Sequence, residues 1–64
     1  MNVLQCLQHA QVLGLPRLEA QLLLLHALGR PLHDRAWLLA HDTDTVQAVQ
    51  IDAFKSYVQR RLQL

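Results

Sequence analysis

Apolar residues return at intervals of three and four along most of this chain. That is the period of one face of an α-helix, not the strict alternation of a half-buried strand. From Asn2 to Leu13 the positions Val3, Leu4, Leu7, Ala10 and Val12 make such a stripe, with Gln5, Gln8 and Gln11 turned outward. Asn2 is placed to cap this helix and Gly14 to stop it. A second helix is expected from Pro16 to Leu28, ending at Gly29, because the missing N–H of a proline costs nothing in a first turn. Between Ala20 and Leu28 only Gln21 and His26 interrupt the apolar run. A helix so nearly apolar all round belongs among other helices, so this one is expected to be the spine of the core.

Pro31 makes the stretch from Arg30 to His33 a connector, since proline lacks a donor and disfavours helix in the residue before it. Asp34 can then cap a short helix through Ala40 that carries Trp37, Leu38 and Leu39. The polar segment His41 to Thr45 reads as a turn, and Thr43 or Asp44 is expected to start a last helix running to Arg61 or Leu62. Asp44 with Gln47 three residues on resembles a capping box. On that helix Val46, Val49, Ala53 and Tyr57 form one apolar stripe, and Ile51, Phe54 and Val58 an adjoining one. The fold class is therefore all-α, a small bundle of four to five short helices in one domain over residues 1–64, with Leu22, Leu25 and Phe54 expected in its core.

Composition narrows the picture further. Hydrophobic residues make up 52% of the 64, while aromatics are limited to Trp37, Phe54 and Tyr57. A chain this short buries only about 60% of its unfolded surface, which leaves room for one thin core and no deep cleft. The net charge of +1 sets Arg17, Arg30, Arg35, Lys55, Arg60 and Arg61 against Glu19, Asp34, Asp42, Asp44 and Asp52. No helix thus carries the concentrated cationic face of a nucleic-acid reader, and a helix-turn-helix reading ranks third. The acids cluster before or at the opening of the last helix and the bases at its close, the arrangement a helix dipole favours. The single cysteine, Cys6, forbids an internal disulfide, and no signal peptide or bilayer-length apolar run is visible, so a cytoplasmic location is expected.

Candidate chemistry is sparse. His9, His26, His33 and His41 lack zinc-finger spacing, and Cys6 with His9 supplies only two ligands on one helix, better read as a buried thiol beside a surface imidazole. His26, inside the leucine-rich helix, is expected to be half-buried and hydrogen-bonded. Cys6 and Ser56 have no recognisable base beside them, and the isolated Gly14 and Gly29 cannot form a phosphate-cradling loop. No catalytic, cofactor-binding or metal-binding residue is assigned. Trp37 can seal the core or anchor a partner, and Arg30 and Arg35 flank it. Arg30, Arg35 and Trp37 are therefore the candidate partner-binding residues.

The run Pro16-Arg17-Leu18-Glu19-Ala20-Gln21-Leu22-Leu23-Leu24, then His26-Ala27-Leu28-Gly29, then Arg35-Ala36-Trp37-Leu38-Leu39-Ala40-His41, resembles the N-terminal domain of the bacterial N5-glutamine methyltransferases that modify peptide chain release factors. The last helix, with Phe54, Tyr57 and the Arg60-Arg61 pair, is similar to that domain's final helix. The resemblance implies a helical bundle joined to a Rossmann-like catalytic domain that uses S-adenosylmethionine to methylate the glutamine of a Gly-Gly-Gln loop. The family's Asn-Pro-Pro-Tyr motif and glycine-rich cofactor loop have no counterpart among these residues, so no catalytic or cofactor role transfers to any position. The chain is accordingly expected to be a fragment, a non-catalytic recognition and scaffold domain. Its partners would be a release factor and its own catalytic domain, with neither nucleic acid nor membrane contacted directly. The alternative is an autonomous helical protein-protein interaction module.

Overall fold

In the computed structural model, which describes residues 1–63, the chain folds into α1 (Val3–Val12), α2 (Arg17–Ala27), α3 (Arg35–Ala40) and α4 (Ala48–Leu62). Asn2 opens α1 as its residue type dictates. Its side-chain oxygen accepts from the Gln5 N–H at 2.8 Å, and the Gln5 side chain returns the bond to the Asn2 N–H at 2.9 Å. Two further free donors of the first turn are met by main chain from far along the sequence: the Val3 N–H donates to the Asp44 carbonyl and the Leu4 N–H to the Asp42 carbonyl, at 3.1 and 2.9 Å. Both α1 and α2 end on glycine. Gly14 and Gly29 sit at φ 112° and 72°, where other residues are strained. The residues after them, Leu15 and Arg30, donate back to the carbonyls of Ala10 and Leu25 at 3.1 and 3.0 Å, and the glycine N–H groups donate to those of Gln11 and His26 at 3.0 and 3.1 Å, the paired bonds of a Schellman ending.

Two helix starts differ from the sequence expectation. Pro16 stands at the cap of α2 with extended ψ rather than inside its first turn, and its carbonyl takes the first ladder bond from the Ala20 N–H. The last helix begins at Ala48, not at Thr43 or Asp44, because residues 42–46 are used elsewhere. Besides capping α1, this segment pairs Thr45 with Asn2 in an antiparallel bridge, and the Val46 N–H donates to the Met1 carbonyl at 2.9 Å. Backbone already bonded outward cannot also turn into helix. The capping box falls on Gln47 and Gln50 instead. With that shift no acid lies in the first turn of α4, although Arg60 and Arg61 do close it.

The core is built around α2, which packs against α1, α3 and α4. Ala20, Leu24 and Leu25 are fully buried there with Val3, Cys6 and Ala10 of α1, Leu38 of α3, and Phe54 and Val58 of α4. Burying each of the larger of these side chains contributes about 1.5–3 kcal/mol before the ordering cost. Leu25 and Phe54 lie where the sequence placed them, whereas Leu22 is only half-buried, on the α4 rim beside Glu19 and Arg61. Successive helix residues turn by about 100°, so Ala20, Gln21, Leu24, Leu25 and Leu28 share one arc and Leu22 and His26 fall opposite it. Two other expectations fail for related reasons. Val49 is 80% exposed, because the late start of α4 turns it to solvent, while Val46 is buried from the extended segment before the helix. On α1, Cys6 rather than Leu4 or Val12 completes the buried stripe. We predict that Leu24→Ala or Phe54→Ala lowers unfolding free energy by about 3–5 kcal/mol and leaves the chain largely unfolded, whereas Leu22→Ala costs no more than about 1 kcal/mol. Urea titrations followed by circular dichroism make the comparison, and equal losses for Leu22 and Leu24 would contradict this packing.

A candidate partner-binding face around Trp37

The Schellman ending of α2 brings Arg30 back over the bundle, and the short connector that follows delivers Asp34 and α3 beside it. Asp34 was expected to cap α3 through its side chain, but no such bond forms. Its carboxylate instead accepts from Nε and Nη2 of Arg30 at 3.2 and 2.9 Å. So held, the Arg30 guanidinium carbon lies 4.1 Å from the centre of the Trp37 ring. The His41 ring lies against the same indole, with centroids 4.3 Å apart and planes 16° from parallel. His41 is fixed in turn by the end of α3: its Nδ1 is 2.9 Å from the Trp37 carbonyl, and because a carbonyl only accepts, Nδ1 carries the proton.

Trp37 thereby does two things. It is half-buried and packs against the core, as a residue sealing a small interior would, and its indole also belongs to a surface cluster of cation, aromatic and imidazole. Tryptophan and arginine are the types that dominate binding energy at protein interfaces, and this pair is already ordered before any partner arrives.

The three candidate residues from sequence do not form one patch. Arg30 and Trp37 are in contact, but Arg35 is exposed on the other flank of α3, where it lines an open groove with Arg17, Leu18, Gln21 and His33. Sequence reasoning missed Asp34 and His41 as members of the cluster. The signal was present, since Arg30 to Asp34 and Trp37 to His41 are both four-residue steps, the spacing at which side chains meet along a helical turn.

The remaining candidates separate from this face. Cys6 is fully buried and burial pushes its thiol above the usual range, while His9 is half-buried. Among the described residues no group of three or more His, Cys, Asp or Glu side chains converges as a metal site would require. His26 is exposed and lies against the Tyr57 ring at 4.8 Å, rather than half-buried with a hydrogen bond. Arg61 donates to Glu19 across α4 and α2, its Nε 3.0 Å from the carboxylate, an exposed pair worth under about 1 kcal/mol. No helix among the described residues is long and apolar enough to cross a membrane.

A family model described as the PrmC N-terminal domain matches residues 2–63. A release factor glutamine methyltransferase of Bordetella pertussis, strain Tohama I, is 55% identical over 49 residues, which are 77% of this chain and 17% of that protein. No solved structure matches the chain significantly.

The cluster makes its own prediction. Arg30→Ala removes one cation–π contact and one half-exposed ion pair, so it should lower stability by about 1 kcal/mol and leave the bundle folded. Trp37, the single tryptophan, reports the change. Its fluorescence should become more readily quenched by acrylamide in Arg30→Ala than in the parent, and unchanged quenching would show that the guanidinium does not shield the ring.

Proposed function

This chain belongs to the PrmC N-terminal domain family, and we propose that it is the non-catalytic recognition and scaffold domain of an S-adenosylmethionine-dependent methyltransferase. The enzyme's substrate would be the glutamine side chain in the Gly-Gly-Gln loop of a peptide chain release factor. The observation that carries the reading is the family match across residues 2–63, the whole helical bundle. The relative's name adds the reaction class, and the matched stretch is under a fifth of that relative's length. On this reading the cofactor and the methyl transfer belong to a separate catalytic domain that follows, and these helices supply orientation.

A flexible loop presented to an active site reacts slowly unless the body that carries it is held in place. The Arg30–Trp37 cluster suits that task. Its indole is backed by the core and lined by Arg30 and His41, so docking against it costs little further side-chain entropy. Arg35, exposed on the other flank of α3, lies apart from this cluster and would meet a different part of the partner. The exposed leucines Leu18, Leu32 and Leu39 would equally serve an autonomous interaction module, the reading that a parent reading frame without a methyltransferase domain would favour.

Removing residues 1–64 from the full methyltransferase should lower kcat/KM for intact release factor by at least about tenfold and for a short Gly-Gly-Gln peptide by less than about threefold, because the peptide does not reach this surface. The truncated enzyme must first be shown to fold and bind cofactor. Equal losses on both substrates would assign these helices to stabilising their neighbour and overturn the recognition role.

A further inference from the structure

The flank of α3 that carries Arg35 borders an open groove of about 650 Å³ between the start of α2 and α3. Gln21 lines this groove and is only 7% exposed, on the arc of α2 that otherwise supplies the core. Its side chain makes no hydrogen bond among the described residues. Among the described residues no completely buried side-chain nitrogen or oxygen is left without a partner, so the Gln21 amide keeps some contact with solvent, on a residue that lines the groove. Gln21 is thus nine-tenths buried as a residue while its amide stays open to water at the groove, free to exchange that water for a ligand's polar group.

The rim adds a second, independent character. Arg17, His33 and Arg35 line the groove and no carboxylate does. The ion pairs join Arg30 to Asp34 and Arg61 to Glu19, and among the described residues Arg17 and Arg35 have no carboxylate partner. Leu18 and Leu39, both exposed, supply apolar wall. One carbonyl and one amino group on Gln21 match the N–H and C=O of a passing peptide main chain, the leucines match an aliphatic side chain, and the guanidiniums match carboxylates.

We infer that this groove is a binding site for an acidic, leucine-bearing peptide segment of the protein partner, its main chain held by Gln21 and its carboxylates by Arg17 and Arg35. The segment's origin rests on the recognition role proposed above, but the site is separate from the Trp37 cluster and is tested separately.

The probe is the peptide acetyl-Leu-Glu-Leu-Leu-Glu-amide, with its counterpart in which glutamine replaces both glutamates, titrated into isotope-labelled chain and followed by nuclear magnetic resonance. Saturable shifts are expected at the Gln21 side-chain amide and at the Arg17 and Arg35 Nε–H groups. Loss of two exposed ion pairs corresponds to affinity about tenfold weaker, both for the glutamine peptide and for Arg17→Ala/Arg35→Ala, whose exposed positions leave the fold intact. Gln21→Leu should melt no lower than the parent yet bind the glutamate peptide at least about threefold more weakly, a split that a purely structural glutamine would not give. Equal affinity for the two peptides, shifts that persist in the double variant, or no saturable shift at millimolar peptide would each overturn the site. Shifts at Trp37 and Arg30 instead would overturn the groove while leaving the recognition role standing. Equal losses in the truncated enzyme alongside intact groove binding would do the reverse.

Discussion

The contact on which the other features depend is the burial of one arc of α2, from Ala20 through Leu24 and Leu25, beneath α1, α3 and α4 at once. In a domain of this size the total stability is a few kcal/mol, so a single large side chain in that arc is comparable with the whole. The same helix also has to expose something. At its N-terminal end the arc widens into the groove, where Arg17 and Gln21 stand at positions that lower down are leucine. At its C-terminal end the Schellman turn aims Arg30 at Trp37. Groove and Trp37 cluster thus lie at the two ends of the buried arc, and the position of α3 over α2 fixes both.

A second constraint comes from the N-terminus of α1. Its donors are capped partly by Asn2 and partly by the main chain of Asp42 and Asp44, bonds that reach across some forty residues. These cross-links pull the segment after α3 against the start of α1, set where α4 can begin, and hold His41 at the end of α3 where it meets Trp37. A change in residues 42–46 would therefore be felt at the candidate partner-binding face, although none of those side chains touches the indole in the contacts described above.

Much of this was legible in the chain because the deciding signals are local. Asn2 as cap, Gly14 and Gly29 as stops, Pro31 as breaker and the three-four periodicity each depend on residues within a turn or two of one another. The all-α class and the existence of every helix follow from them. What was not legible depended on distant partners. The delayed start of α4 follows from bonds to Met1, Asn2, Val3 and Leu4, which no local propensity encodes. Leu22 and His26 were misplaced because α2 is apolar nearly all round, so periodicity alone does not say which arc faces inward. Gln21 was visible only as an interruption of an apolar run, and its unpartnered burial emerged once α3 was laid across it. Of the candidate site, the residue types at Arg30, Arg35 and Trp37 were readable, while the separation of Arg35 from the other two is a matter of tertiary placement.

If α2 is the element that holds the bundle together, its amides should open last. Native-state hydrogen exchange tests this directly, because each amide reports the free energy of the smallest opening that exposes it. The amides of Leu24, Leu25 and Ala27 are predicted to exchange only through global unfolding, at the free energy that denaturant titration gives, while those of α3 exchange through smaller openings that leave α2 protected. Exchange of the α2 amides at lower free energy than those of Phe54 and Val58 in α4 would contradict the account, and would move the organising contact of this domain away from α2.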